Sequence, residues 1–534
     1  MKRHGSAYDG EIELAPVARS GPALTARRAD GAMLFQNRFA YAPADLPSAS
    51  AALATQKQQE QMMLRLSNQF ISTGLLNLTE QSEIPAGYTY LAQFAVHDMV
   101  MSTPLLDLGG GLTPPKNKET PSLELRSLYG GGPELASNLY ESPATAGKMG
   151  RLRIGHLNKA RPPGFANGAA ADVPRDRHED SAIGSAPTEP AVADIRNADT
   201  LILAQLTALF IRFHNILFDI SNNAGDPDPF RRARKTAAAA YRNILWNDLV
   251  ARLADSRIFA HYTPSLTLPR DPDWNLPNES AFAAMRFGHT MVRAQYQLND
   301  IFHGIGGAAR TTRLLQFLNR ESSANTGLAL PPTDIWEIEW SRFFKTGRNR
   351  SSGFNNAAPI GPAIAAALAE LPKEEPSRFP AAEGGQMSLA FRALMRGFLT
   401  GLPSGQAAAR AVGANLGFGI RTLTSAEIAA SLTAASNQGK CGLGSLQCLS
   451  AADISVLAER TPLFLYILLE AQIIGRGSKL GPVGSDFVCH TFAGSLRLPE
   501  DDPDRNISMI SGIGLPGTMP ELLKFLERHS TPGV

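Results

Sequence analysis

The stretch YLAQFAVHDMVMS, residues 90–102, constrains the fold more than any other, because it sets His97 and Asp98 side by side inside an apolar run. Leu91, Phe94, Ala95, Val96, Met99 and Val100 favour a buried helix over these residues. A buried imidazole and a buried carboxylate each need polar partners, since an unpaired polar group inside a protein costs kilocalories. Gln93 lies one turn before His97, but the remaining partners must arrive from elsewhere in the chain. The fold must therefore bring distant polar segments onto this helix.

Helical patterns dominate the rest of the sequence and strand patterns are sparse. Amphipathic or apolar helices are predicted over Ala52–Phe70, Asp199–Asn222, Phe230–Asp255, Ala281–Gln295, Ala407–Val412 and Pro462–Ile474. Between Pro104 and Asp194, segments such as DLGGGLTPPKNKETP and YGGGPE are rich in Gly, Pro and charge and read as long loops. No unit recurs at a solenoid period. The expected fold class is mainly α, one large unit with long loops and little β. Residues 1–50 are expected to form an N-terminal arm and 51–534 the domain itself.

Two helical segments offer groups for the buried pair. Arg196 and Asp199 stand three apart at the start of one helix, so they project from the same turn. His214, near that helix's far end, reads as a core histidine. The other segment, AFAAMRFGHTMVRAQYQLND, carries His289 with Arg286 one turn earlier and Gly288 beside it. A glycine inside a helix costs about 1 kcal/mol against alanine, which suggests close approach of a bulky flat group. One segment with Gln93, His97 and Asp98, one with an arginine opening a helix, and one with Arg286 and His289 suit iron-porphyrin chemistry. One imidazole would hold the iron; the other, with a guanidinium, would work on bound peroxide.

The remaining features exclude more than they assign. A net charge of +2 gives no support for a nucleic-acid partner. Cys441, Cys448 and Cys489 form neither a disulfide framework nor a zinc spacing, although Cys441 and Cys448 flank a short loop and could bridge. The N-terminal residues lack the apolar core of a Sec signal, so a cytoplasmic location is the default expectation, with non-classical secretion as the other route. The greasy segment Pro462–Gly475 is broken by Glu470 and too short to span a bilayer, so no transmembrane segment is expected.

From Leu66 to Pro499 the sequence resembles the animal-type haem peroxidases, the myeloperoxidase and lactoperoxidase superfamily, and in particular its bacterial members. The motifs that carry the likeness stand in family order: QFAVHD, TPSLELRSLYGGGP, IRNADTLILAQLTALFIRFHN, MRFGHTMV, GLPSGQAAARAVG and TPLFLYILLEA with LGPVGSDFV. The resemblance implies a single haem-peroxidase domain in which His97 is the distal histidine, Gln93 the distal glutamine and Arg196 the distal arginine. It makes His289 the axial ligand of the haem iron and Arg286 a partner of a haem propionate. Gln406 falls where a side-chain amide accepts the proximal imidazole proton. The implied activity is reduction of hydrogen peroxide through a ferryl state, with oxidation of small organic or (pseudo)halide donors and a link to oxidative stress.

Three departures from the family pattern matter. Val96 replaces the aspartate esterified to a haem methyl, and Asp199 replaces the glutamate of the second ester, one methylene shorter. Thr200 stands where myeloperoxidase has its sulfonium-forming methionine. The expected cofactor is therefore haem b, non-covalent or held by at most one ester through Asp199. At the family's calcium loop, Asp98, Thr120 and Ser122 match, but Glu124 and Arg126 occupy the next ligand positions. A guanidinium repels a cation, so calcium is disfavoured and Arg126 is expected to replace the ion and pair with Asp98.

Two other functions remain open. Fatty-acid oxygenases of the superfamily need a tyrosine three residues before the proximal histidine; Arg286 stands there, and Tyr296 lies about two turns beyond His289 on the expected helix. A non-catalytic haem-binding or adhesion module would have lost His97, Arg196 or His289, and all are present. With the ester links reduced, phenols, thiocyanate, iodide and bromide are expected as donors ahead of chloride.

Overall fold

The computed structural model describes residues 33–72, 82–102, 115–142, 149–157, 159–160, 171–176, 189–271, 274–304, 307–311, 333–347, 353–369, 388–437, 448–500, 502, 504 and 506–529. Helix α1 (Gln56–Phe70) opens on a capping box between Thr55 and Gln58. Helix α2 (Gly87–Met99) carries the opening stretch and is buried along its length except at Gln93 and Val96. A single turn, α3 (Arg126–Tyr129), follows. The long helix α4 (Leu201–Asn223) starts at Thr200, whose side chain accepts from the Leu203 N–H. Helix α5 (Pro229–Ile244) starts at Asp228 with Pro229 in its first turn, and runs into a π-helical turn at Leu245–Val250.

Later helices include α6 (Leu389–Leu399), α7 (Gly405–Leu416), α8 (Leu463–Ile473) and α9 (Pro482–Leu496). Glu470 breaks the apolar pattern of α8 for a physical reason. Its buried carboxylate accepts the N–H groups of Val483 and Gly484, the otherwise unsatisfied donors at the start of α9. Strands among the described residues are all two residues long and form five two-stranded pairs. One is parallel, Ile364 against Ile71 and Ala365 against Ser72; the other four are antiparallel.

One hydrophobic cluster runs from Phe35 to Leu526 and includes residues of every helix named above. Within it α2 rests on α4 and α5: Phe94 stacks on Phe210 at 5.0 Å between ring centroids and meets Tyr241 edge-on at 5.9 Å. Gly87 lets the start of α2 press against Phe344, whose ring would lie 2.3 Å from an added Cβ. These contacts fix both the height and the rotation of the helix that holds His97.

Helix α4 has the length and apolarity of a membrane span, but 89% of its most apolar window is buried inside the fold. His214 on this helix is the core histidine expected of it, bonded to the Tyr129 hydroxyl at 3.0 Å and the Gly150 carbonyl at 2.9 Å. Cys448 is disulfide-bonded and Cys489 is a buried free thiol; Cys441 lies outside the described residues.

The helix expected over Ala281–Gln295 does not form as one element. A short helix ends at Phe282, a 3-10 segment follows at Ala284–Met291, and Gln295–Tyr296 is a strand. The reason lies in competing partners. The Met291 carbonyl accepts from Ala358 N–H and the Arg293 N–H donates to the Tyr296 hydroxyl, so two groups that would continue an α-helix are taken. Tyr296 is therefore not on the His289 helix; it stands on a strand, edge-on to Tyr90 at 5.9 Å.

Candidate functional site

Three segments meet around α2: the 3-10 turn Ile195–Ala198 before α4, the turn α3, and the 3-10 segment Ala284–Met291. Helix α2 and the two 3-10 segments contribute residues that keep accessible area within otherwise buried surroundings. On α2 these are Gln93 and Val96, at the turn before α4 Arg196 and Asp199, and on the segment Ala284–Met291 Arg286, Gly288 and His289. Gln93–Val96, Arg196–Asp199 and Arg286–His289 are each three apart, the spacing that puts two side chains on one face of a helical turn.

Arg286 and His289 are strongly desolvated despite the area they retain. Burial pushes His289 down to about 3, helped by the charge of Arg286, and pushes Arg286 down to about 10, helped by Arg196. Partial accessibility with strong desolvation is what side chains show when they border an enclosed space. An added Cβ at Gly288 would meet nothing within 4 Å, so open room lies directly beside His289. Arg286 also acts on His97, so its guanidinium is near both imidazoles.

His97 is wholly buried on α2. Its pKa falls to about 3, first through loss of hydration and then through the charge of Arg196, against the opposing effects of Asp194 and Asn197. The imidazole is therefore neutral across ordinary pH. Its Nδ1 lies 2.9 Å from the Oδ1 of Asn197, itself fully buried. From the sequence Asn197 stands out only as a candidate near the helix cap, and Asp194 not at all. The available signal was the unmet partner of His97 together with an amide directly after Arg196.

Arg196 is held by Asp194 and by the end of α2. Its Nε donates to Asp194, one terminal nitrogen to the Val100 carbonyl at 2.6 Å, and the other to Asp194 and to the His97 carbonyl at 3.0 Å. All three nitrogens are thus engaged by Asp194 and by the last carbonyls of α2, where a cation also meets the negative end of the helix dipole. Burial works to raise the Asp194 pKa, but its bonds and charge contact with Arg196 outweigh it and hold the carboxyl below the usual range.

Asp98 also departs from expectation. Its two oxygens accept from backbone, Oδ2 from Leu125 N–H at 2.8 Å and Oδ1 from Ser127 N–H at 2.9 Å. Burial raises its pKa and these bonds oppose the rise. Arg126 does not pair with it: that side chain is half exposed, with its Nε 3.9 Å from Glu119. Leu123 and Leu125 adopt φ of 47° and 59°, the left-handed region that a leucine rarely enters. The strained loop aims its N–H groups inward, so the carboxylate is closed by backbone in place of the expected guanidinium.

The remaining calcium-loop positions are committed as follows. Glu124 accepts from Ser122 at 3.0 Å and from Arg242 at 3.3 Å, while Thr120 is exposed and its carbonyl accepts the Ser122 N–H. Among the described residues no cluster of three His, Cys, Asp or Glu side chains is arranged to hold a metal ion. Gln406 is likewise spent elsewhere. Its amide donates to the Ala458 carbonyl and the Thr461 hydroxyl and accepts from Thr461 N–H, which ties α7 to the start of α8. Thr200 is the cap of α4, and Val96 leaves its position on α2 without a carboxylate.

Residues 84–329 match the family model described as animal haem peroxidase. Among solved structures, a fatty acid alpha-dioxygenase from Arabidopsis thaliana is similar at 14% identity and a TM-score of 0.52, covering 89% of this chain and 76% of that one. The Oryza sativa fatty acid alpha-dioxygenase matches at 12% identity and a TM-score of 0.50, over 88% and 77% of the two chains. Peroxidase A from Dictyostelium discoideum matches at 16% identity and a TM-score of 0.47, over 81% and 82%. At such identities the likeness is one of fold. No protein of curated function matches the chain.

Proposed function

We propose that the protein is a haem-dependent peroxidase, a reading supported by the match of residues 84–329 to the animal haem peroxidase family model and by the mainly helical fold. It would reduce hydrogen peroxide and oxidise small donors such as phenols, thiocyanate, iodide or bromide. The superfamily's members are oxidoreductases and include both peroxidases and dioxygenases, so the choice between them rests on this chain's residues. The observation that carries it is His97, a fully buried neutral imidazole on a helix packed against the segment that bears His289.

The residues present fit a haem. His289 is a desolvated imidazole that would hold the iron, Gly288 leaves open room beside it, and Arg286 would offer a cation to a propionate. Haem b with at most one ester, through Asp199, is the cofactor this set suits, because Val96 cannot form the other. When bound, the haem supplies the electron-transfer chemistry of peroxide reduction.

The protein's share is positional and protonic. His97, neutral, accepts a proton from peroxide and returns it to the leaving oxygen, acting first as base and then as acid. Gln93, one turn earlier on the same helix, keeps accessible area where its neighbours are buried. Arg196 holds the carbonyl end of α2 and biases His97 toward neutrality, while Asp194 balances its charge within the site. Water is excluded by the aromatic packing of α2 on α4 and α5.

An oxygenase acting on fatty acids is the second reading, favoured only by fold likeness. Arg286 stands three residues before His289, where a radical-forming tyrosine would be needed, and Tyr296 is on a separate strand. Rapid mixing of the haem-loaded protein with hydrogen peroxide tests the proposal: a peroxide-dependent change of the Soret band and donor oxidation are expected. Hydroperoxide formation from linoleate and oxygen without added peroxide would overturn it.

A further inference from the structure

We propose that Asn197 is a positioning residue that fixes the tautomer of His97, and that Ser127 and Asp98 hold Asn197 in that role. This deepens the peroxidase reading and rests on it for the catalytic use of His97.

The argument starts from the amide itself. An asparagine side chain can present either oxygen or nitrogen to its neighbour, so the surrounding groups decide which. Here the Nδ2 of Asn197 donates to the Ser127 carbonyl at 3.3 Å. Flipping the amide would set two oxygens against each other. Oδ1 must therefore face His97, and an oxygen can only accept. The imidazole donates from Nδ1, which leaves the lone pair of a neutral ring on Nε2.

Each further link is pinned in turn. Ser127 N–H is bonded to Asp98 Oδ1, and Leu125 N–H to Oδ2, so the turn that offers the Ser127 carbonyl cannot rotate freely. The backbone of Asn197 is fixed at both ends, its N–H bonded to the Asp194 carbonyl at 2.9 Å and its carbonyl to the Thr207 hydroxyl at 3.1 Å. His97, Asp98, Asn197 and Thr207 are all wholly buried, so water does not compete for these bonds. The path leaves α2 at His97, passes through Asn197 and Ser127, and returns to α2 at the next residue. Asp98 thus serves its neighbour's ring from outside the helix.

The tautomer matters because a proton on Nε2 would remove the base from the side of the ring turned away from Asn197. Without the acceptor at Nδ1, a neutral imidazole divides between both tautomers and carries the reactive lone pair only part of the time. Protein labelled with 15N-histidine reports the tautomer directly, with the His97→Gln variant identifying the signal. The expected wild-type spectrum shows His97 protonated at Nδ1, with or without haem. Asn197→Leu should give a mixed tautomer, unchanged haem binding, and a rate with peroxide lower by about tenfold or more. Asn197→Asp keeps an acceptor and should keep the Nδ1–H form.

An Nε2–H tautomer in the wild type overturns the proposal without any variant. A folded Asn197→Leu protein with the wild-type tautomer overturns it as well. A mixed tautomer with an unchanged peroxide rate upholds the hold of Asn197 on the ring and overturns His97 as the base.

Discussion

The two imidazoles of the site are held in opposite ways. His97 lies on a regular helix whose ends and faces are fixed by aromatic stacking, by Arg196 on its final carbonyls and by a closed polar path through Asn197, Ser127 and Asp98. His289 lies on a 3-10 segment whose neighbouring backbone groups are diverted to Ala358 and Tyr296, with open room at Gly288. The His97 side is complete as protein; the His289 side is shaped around space. Such a division suits a site in which one imidazole must keep its orientation while the other anchors a large cofactor.

Exchanging the two histidines' fates is the strongest way to break this comparison. His289→Ala should abolish stable haem retention, read as loss of the Soret band at equal protein. His97→Ala should retain haem but slow the reaction with peroxide by about 10²–10⁴-fold, the usual worth of a general acid–base group. Loss of haem in both variants would mean that the two sides are not divided as described.

The anchor of α2 comes next. Asp98→Ala strands two buried N–H groups, each costing about 1–3 kcal/mol, and should lower the urea midpoint substantially. Arg126→Ala, on a half-exposed side chain, should change stability by no more than about 0.5 kcal/mol. Equal effects would restore the guanidinium to the role expected of it from the sequence.

Acid should weaken the apoprotein through its fully buried imidazoles. His97 and His214, both without exposed area, take protons only at about 3 and about 4, against 6.5 when unfolded. Between pH 6.5 and those values the unfolded chain binds protons that the folded chain refuses, so stability falls as pH falls. The slope is on the order of 1 kcal/mol per pH unit for each group, measured as urea midpoints at pH 7, 6 and 5. His97→Gln should remove its share of that slope.

The smallest effects contrast two glycines. Gly87→Ala drives a Cβ against Phe344 and should destabilise by about 1–3 kcal/mol. Gly288→Ala meets nothing and should raise apoprotein stability by about 0.4–1 kcal/mol through the unfolded state, while weakening haem uptake. Thermal unfolding with and without haem separates the two.

The His97 side was largely legible in the sequence because its signals are local. An apolar period around His97 and Gln93 gave the buried helix, and the apolar run after Thr200 gave α4. The element of His289 was not, because Arg286 and His289 stand at a spacing that α and 3-10 turns share, and only partners as distant as Ala358 separate the two. The bonding of Gln406 was illegible for a similar reason, since its amide has three bonds at the α7–α8 junction that no local pattern announces. Arg126 was judged by its charge, whereas the unusual backbone at Leu123 and Leu125 supplies what Asp98 needs. Asn197 lay next to Arg196, but an amide gains meaning only from the carbonyl that orients it.

The polar path also has an order in time. The bonds from Asp98 to Leu125 and Ser127 close stretches of 27 and 29 residues, whereas the bond from His97 to Asn197 closes 100. Chain-closure entropy makes the longer link dearer by about 1 kcal/mol, and non-local contacts form late. During refolding, helical signal and the Asp98 turn should therefore appear before the His97 ring acquires a single protonated nitrogen. The imidazole would be among the last groups of the domain to learn which way it faces.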